Sequence, residues 1–353
     1  MGIKDLFKVI KINEKIEDLK YLQGKTVGVD ISGEVNSRWY KAYREKLTKT
    51  NIFNHTEPDE NEIMNTWLQR MLGFVDCLRE QRRAKVVIVF DGAPPEEKKT
   101  KIDKRREERQ KLKKKIDDMY EKVDKMDPLE HDDELMKKLM DAKGYSSRAG
   151  EFQYNCLKKL LIEKGYVCYQ AEQESDRLLA ALALSKTHPH RIDVVWSKDS
   201  DLLTYGCPEI IKGYVKNERK QNIGFSRYNL QDILTSLELN MKQFVDLCIL
   251  LGCDYGSRPK KQGPVTALKN IKKYEKLEDF DIDITCSNYE ASRKMFKITD
   301  PDAEILRSNI VLFDELPKKV QDYQIRFYIG NVVPCKNDED GEDIEETFEV
   351  ENE

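Results

Sequence analysis

No apolar run in this 353-residue chain approaches the roughly 18–20 residues that a membrane-spanning helix requires. The opening, MGIKDLFKVI, lacks the apolar stretch of a secretory signal, and Leu6 stands where N-myristoylation calls for Ser or Thr. Histidine is scarce: His55, His131, His188 and His190 have no zinc-site spacing, and the His-Pro-His at 188–190 reads as a turn. The eight cysteines include no Cys-x-x-Cys pair, and several lie inside apolar runs. That pattern predicts reduced, buried thiols in an intracellular protein and argues against a disulfide framework. No internal repeat is visible. Membrane-spanning and metal-finger classes are thereby set aside.

What the chain has in quantity is charge. At 39% hydrophobic and 36% charged residues it reads as a polar, surface-rich soluble chain, long enough for one large α/β domain or two smaller ones. The net charge of −4 conceals an asymmetry: residues 338–353 hold ten acids and no Lys or Arg, leaving 61 basic against 55 acidic residues in 1–337. Most of that surplus lies in 98–125, with 13 Lys or Arg and 7 Asp or Glu. A basic run of this kind is either a solvated helix face or the footprint of a polyanionic partner, and composition does not choose between them. The acidic, apolar-poor end reads as disordered.

Four short β-branched runs, KTVGVDIS (25–32), KVVIVFDG (85–92), GYVCYQAE (165–172) and RIDVVWS (191–197), read as buried strands. Helical patterns separate them, among them NEIMNTWLQRMLGFVDCLREQ (61–81) and SDRLLAALALS (175–185), so a parallel sheet covered on both faces is expected. Residues 94–150 carry no strand signal and read as a charged, helix-prone insertion standing off the domain. From about residue 228 the pattern turns helical, most clearly in LQDILTSLELNMKQFVDLCILLGCDYG.

The acids fall at meaningful places in this order. Asp30 closes the first strand and Asp91 the second; Glu174 and Asp176 follow the third, where Ser175 or Asp176 could cap a helix; Asp199 and Asp201 follow the fourth. In a parallel sheet all of these sit at the C-terminal edge, where such sheets build their sites. A single acid there is a cap or turn residue. Six repel one another unless cations lie among them, and Asp254, after FVDLCILLG, brings a seventh. With no matching His or Cys, the set points to hard Mg²⁺ or Mn²⁺, two ions about 4 Å apart activating water and stabilising the leaving oxygen in phosphodiester hydrolysis. A phosphotransferase using one aspartate of the D-x-D pair is the alternative, but it leaves Asp30, Asp91 and Glu174 without a role.

MGIKDLFKVI, VGVDIS, VFDGAPPEEKKTKIDKRREER, AEQESDRLLAAL, SKDSDLLTYG and FVDLCILLGCDYG resemble, in order and spacing, the XPG/flap endonuclease family of structure-specific 5′ nucleases, over about residues 1–40, 62–115 and 150–300. The short insertion after VFDG is closer to flap endonuclease than to XPG itself. The resemblance implies an α/β fold: a PIN-like parallel twisted sheet flanked by helices, with a helical arch insertion and a helix-hairpin-helix duplex-binding region. The regions expected are 1–93 and 151–255 for the nuclease body, 94–150 for the arch, 256–337 for the hairpin and C-terminal helices, and 338–353 for the tail. By the same resemblance Asp30, Asp91, Glu174 and Asp176 surround a first Mg²⁺, and Asp199, Asp201 and Asp254 a second, with Mn²⁺ able to substitute. Lys98 and Arg105, seven residues apart and so on one helix face, match the pair that the family brings onto the scissile phosphate. Lys104, Gly2 near the active site, and Gly263 and Pro264 in KKQGPVTALKNI are the implied DNA contacts.

The implied partner is branched double-stranded DNA with a 5′ flap, cut by a monomer in replication, repair or recombination. The implied location is wherever DNA is handled: the nucleus, or a cytoplasmic viral factory. A 5′-3′ exonuclease, a junction resolvase and a non-catalytic DNA-binding regulator are the readings beside it, the last disfavoured because every acidic position is filled. Four departures stand out. Lys261 replaces the hairpin's first glycine. Arg258, beside Ser257, stands at the place of a serine, which counts against a monovalent-ion site. Asn36 replaces a base-stacking tyrosine, with Trp39 or Tyr40 as candidate substitutes. The sliding-clamp motif is absent.

Overall fold

The computed structural model describes residues 2–50, 55–126, 133–219, 221–281 and 283–325, so His131 and the acidic stretch 338–353 lie outside the described residues. Its strands are β1 (Lys15–Glu17), β2 (Thr26–Asp30), β3 (Lys85–Phe90), β4 (Val167–Gln170), β5 (Val194–Trp196), β6 (Glu209–Lys216), β7 (Asn222–Asn229) and β8 (Asn309–Ile310). They form one sheet in the order β1-β7-β6-β5-β2-β3-β4-β8. The run β6-β5-β2-β3-β4 is parallel, whereas the β6–β7, β7–β1 and β4–β8 pairings are antiparallel. The sheet is therefore mixed, not purely parallel as the sequence suggests. The runs recognised in the sequence are β2 to β5. β6 and β7 escape recognition because Gly213 and Gly224 interrupt their alternation and register shifts at Ile211/Gly213 and Val215/Lys216 break the period.

The central strands are apolar on both sides because each side faces a separate core. In β3, Val86, Ile88 and Phe90 point into one core, Val87 and Val89 into the other. The first core is closed by helices Ile31–Leu47, Glu60–Asp76 and Glu151–Glu163. Glu60–Asp76 starts where the Asp59 carboxylate accepts from the Asn61 and Glu62 amides, and it buries Ile63, Met64, Trp67, Leu68, Met71, Phe74 and Val75 at helical spacing. The second core is closed by Ser175–Leu184, Leu230–Leu237 and Met241–Leu251, together with Ile3, Leu6 and Ile10 from the N-terminal segment and Ala267 and Ile271 of helix Pro264–Tyr274. Helix Pro264–Tyr274 thus shares one core with the central sheet.

The insertion does not stand off the domain throughout. Helix Lys99–Asp124 is exposed along its first half, but Ile116, Met119 and Val123 are buried in the first core, as are Leu139 and Ala142 of helix Asp133–Ser146. Lys143, only 4% exposed, ties the insertion down by donating to Glu57 at 2.5 Å and the Tyr120 hydroxyl at 2.6 Å. Among the described residues all seven cysteines are free thiols; five are buried, Cys253 is partly buried and Cys286 is exposed.

Gly28, in the middle of β2, sits directly beneath helix Ser175–Leu184, where an added Cβ would lie 2.9 Å from Leu179 Cδ2 and overlap Ile192 Cδ1. Gly28→Val is expected to lower the urea unfolding free energy by about 1–3 kcal/mol, the scale of overpacking a filled core. An unchanged unfolding midpoint would show that this layer is loosely packed.

Candidate active site

Since β5, β2, β3 and β4 are adjacent and parallel, the loops that follow them open at one edge of the sheet. Asp30, the last residue of β2, ties three of these loops together. One of its oxygens accepts from the Ser32 amide at 3.3 Å and the Ser175 hydroxyl at 3.2 Å, and the other from the Ser197 hydroxyl at 2.9 Å. Asp91, just past β3, accepts from the Ser175 amide at 2.9 Å, so the entrance of helix Ser175–Leu184 is capped from another strand, not by Ser175 or Asp176. Gly92 lets this happen: a Cβ there would overlap the Ala171 and Glu172 backbone, and its amide donates to the Gln173 carbonyl at 2.5 Å. Asp199 accepts from the Asp201 amide at 3.0 Å, which folds the D-x-D pair back on itself.

The acids strain against one another. Burial, then the charges of Asp91 and Asp199, push the Asp30 carboxyl up to about 7. Burial and neighbouring carboxylates push Asp176 and Asp201 well above the ordinary aspartate range, and burial also raises Asp199. One oxygen each of Asp176 and Asp201 is buried with no hydrogen-bond partner, a costly state for a carboxylate. The opposite rim is cationic. Lys98 bridges Glu174 and Asp254, the latter at 2.8 Å, and Lys101 pairs with Asp254. Burial opposes the charge on Lys98, but Glu174 and Asp254 raise its pKa; burial likewise opposes the charge on Asp254, which Lys98 and Lys101 hold below its usual range.

All seven acids of the sequence reading therefore meet in one pocket, linked through these contacts and fields. Buried, oxygen-only, mutually repelling acceptors, two with an unpartnered atom, fit a hard divalent cation. Among the described residues no three carboxylate, imidazole or thiol groups are gathered tightly enough to hold an ion as they stand. The lysine ammonium groups supply the positive charge on the Glu174–Asp254 side.

Other expected residues fare differently. Gly2 lies against the pocket: its φ is +96°, and a Cβ would overlap Asp199 Oδ1 and the Ser200 hydroxyl. The Ser200 hydroxyl also accepts from the Ile3 amide at 2.9 Å. Arg105 makes no ion pair with the acids among the described residues, and Lys104 is exposed, 3.9 Å from Glu108. Lys101, which the sequence reading missed, takes the place beside Lys98; its spacing of three residues from Lys98 was the available signal. Gly263 caps helix Pro264–Tyr274 with Pro264 in the first turn, and Lys261 holds a left-handed turn at φ +63° despite replacing a glycine. Arg258 donates to the Leu251 carbonyl and to Asp5, both at 2.7 Å, so a guanidinium fills that loop. Neither proposed substitute for a stacking tyrosine is suited to the task. Trp39 is 4% exposed and donates to Ser147, and Tyr40 is stacked on Tyr145 with centroids 4.8 Å apart. Tyr154 is an aromatic beside Asp30 and Asp91; burial, then Asp91 and Asp30, push its hydroxyl up to about 12.

Comparison with known proteins agrees with this geometry. The XPG N-terminal domain family matches residues 1–112, and the XPG I-region family matches 165–254. Flap endonuclease 1 of Entamoeba histolytica is 35% identical over 283 residues, covering 79% of this chain and 69% of that protein. Flap endonuclease 1 of Brugia malayi is 30% identical over 286 residues, covering 79% and 68%. Among solved structures, the catalytic core of Rad2 in complex with DNA substrate superposes with a TM-score of 0.57 at 21% identity, covering 91% of this chain and 85% of that one.

The repulsion is measurable. A carboxyl raised in the folded state destabilises the fold once ionised: the cost is absent below the unfolded value of 3.8 and grows as pH rises towards the folded value. In metal-free buffer Asp201→Asn is expected to melt like the parent near pH 4 and above it at pH 7, with the gap widening between. Added Mg²⁺ at pH 7 should raise the parent's melting temperature more than the variant's. A gap that does not depend on pH would mean Asp201 is compensated by contacts other than a cation.

Proposed function

The chain belongs to the XPG/flap endonuclease family, and we propose that its acidic pocket hydrolyses DNA phosphodiesters at single-strand/double-strand junctions, favouring 5′ flaps. One observation carries this reading: seven carboxylates converge at one edge of the sheet, two of them, Glu174 and Asp254, paired with Lys98 at the base of the basic helix Lys99–Asp124. The family is divalent-metal dependent. When bound, such ions supply an activated water and neutralise charge on the leaving oxygen. For this chain we assign two Mg²⁺, replaceable by Mn²⁺, with Asp30, Asp91, Glu174 and Asp176 holding one and Asp199, Asp201 and Asp254 the other.

The chain's own groups divide the remaining work. Ser175 and Ser197 fix the Asp30 carboxylate in a single orientation, which pre-organises the pocket before substrate arrives. Lys98, held between Glu174 and Asp254, is placed to donate to a phosphate oxygen as charge builds there. Lys101, one turn along, and Arg105 beyond it extend the same positive face along the arch. The amides at the start of helix Pro264–Tyr274 offer a phosphate site for the duplex without reading sequence. Gly2 closes the pocket beside Asp199, which leaves no room for bulk at that point. The protein acts as a monomer, on branched DNA, wherever DNA is replicated, repaired or recombined.

The deciding experiment is cleavage of a labelled panel comprising a double flap, a nick, a gap and a four-way junction. Preference for the four-way junction would move the assignment to resolvase, and cutting only from free 5′ ends would move it to exonuclease. Asp199→Asn and Asp254→Asn are expected to abolish cleavage with folding and DNA binding retained; near-parental rates in Mg²⁺ would overturn the metal assignment. Lys98→Ala is expected to lower the single-turnover rate about 10²–10³-fold, the scale of one lost transition-state donor. A short tag ahead of Gly2 should depress activity, and equal rates with and without it would remove Gly2 from the site.

A further inference from the structure

Glu174 has its two oxygens engaged by donors from two different segments of the chain. Lys98 takes one of them, and the Tyr255 hydroxyl donates to the other at 2.8 Å. A phenol has a single proton, and Tyr255 spends it on Glu174. The Tyr205 hydroxyl, 2.9 Å from that of Tyr255, must therefore be the donor in the second bond. The result is a directed chain, Tyr205 O–H to Tyr255 O–H to the Glu174 carboxylate, buried at both rings, with Tyr205 4% and Tyr255 6% exposed.

The placement of the two tyrosines makes this chain more than local packing. Tyr205 ends the short helix Asp201–Thr204, and its amide donates to the Asp201 carbonyl at 3.0 Å. Tyr255 is the residue after Asp254. The hydroxyl pair thus links the segments that carry Asp201 and Asp254 to Glu174, which belongs to the other half of the acid set. Both rings pack edge-on against Phe296, with centroids 5.2 and 5.3 Å away, at the end of helix Tyr289–Phe296. The loop after Tyr255 is locked to the same region: a Cβ on Gly256 would overlap the Ser287 carbonyl, and the Ser257 amide donates to the Cys286 carbonyl at 2.8 Å.

We propose that Tyr205 and Tyr255 are positioning residues that set the Glu174 carboxylate for divalent-ion binding, and that they couple its orientation to the C-terminal helices through Phe296. Neither phenol touches the reacting phosphate in this assignment; both act through Glu174. Hydrogen bonds of this kind to a ligating carboxylate commonly govern metal affinity by about 10–100-fold. The inference rests on the divalent-metal reading of the pocket given above.

The test is Tyr255→Phe, which deletes one oxygen and keeps the ring on Phe296, with Tyr205→Phe beside it. Mn²⁺ binding to the full chain without DNA is measured by titration calorimetry, and single-turnover cleavage is followed as a function of Mg²⁺. Tyr255→Phe should weaken Mn²⁺ binding about tenfold or more and shift the Mg²⁺ dependence to higher concentration, with excess Mg²⁺ restoring the rate. Tyr205→Phe leaves the bond to Glu174 in place and should have the smaller effect on both. Parental Mn²⁺ affinity in Tyr255→Phe, or a rate that excess Mg²⁺ does not restore, would overturn the proposal and reduce the pair to structural packing. A parent protein that binds no Mn²⁺ and cuts nothing would overturn the nuclease reading itself, a result separable from the first.

Discussion

Charge repulsion at the C-terminal edge of the parallel strands is the constraint on which the rest of the structure turns. A sheet edge that gathers Asp30, Asp91, Glu174, Asp176, Asp199 and Asp201, joined by Asp254 from just past the end of helix Met241–Leu251, creates a fold that resists its own ionisation. Asp176 and Asp201 show it most directly, each with a buried oxygen that no donor reaches. The hydroxyl donors Ser175 and Ser197 offset part of the cost for Asp30, and the ammonium groups of Lys98 and Lys101 part of the cost for Glu174 and Asp254. What remains is a standing demand for positive charge at a fixed point. The proposed function answers that demand with hard cations.

The surrounding architecture serves that point from three directions. The two cores hold the central strands between helical layers, so the strand ends cannot drift apart to relieve the repulsion. The arch helix brings its first cationic turn to the rim, while its far half is anchored through Ile116, Met119 and Val123 in the first core and Lys143 on Glu57 and Tyr120. The C-terminal helices reach the pocket through Tyr255 and Tyr205 and share the second core with helix Ser175–Leu184. In the proposed function the parts that face substrate and the parts that face metal are therefore mechanically continuous.

Three departures from the family pattern illustrate how the chain accommodates different residues. Arg258 fills the hairpin loop with a guanidinium that satisfies the Leu251 carbonyl and Asp5, and Lys261 adopts the left-handed turn that a glycine would take more easily. The aromatic missing at Asn36 is not supplied from its own helix, since Trp39 and Tyr40 are both committed to neighbours; Tyr154 approaches the pocket from helix Glu151–Glu163 instead.

The sequence by itself determined the strands that matter and the acids at their ends. β-branched runs long enough to be buried on both faces can only sit in the middle of a covered sheet, and Asp30, Asp91, Asp199 and Asp201 follow those runs at distances a reader can count. It did not reveal β6 and β7, whose glycines and register shifts erase the period, nor β1 and β8, at three and two residues too short to show one. Spacing along the chain placed the cations on one helix face but could not say how far along that face the acids reach. Lys98, Lys101 and Arg105 share a helix face, and only the angle at which that helix leaves the sheet puts Lys101 on Asp254 and leaves Arg105 without an acid of the pocket. The partners of Ser175, Ser197, Tyr205 and Tyr255 were invisible for the same reason: a hydroxyl becomes part of a site only through a partner tens of residues away, and that pairing is decided by how the loops meet in space.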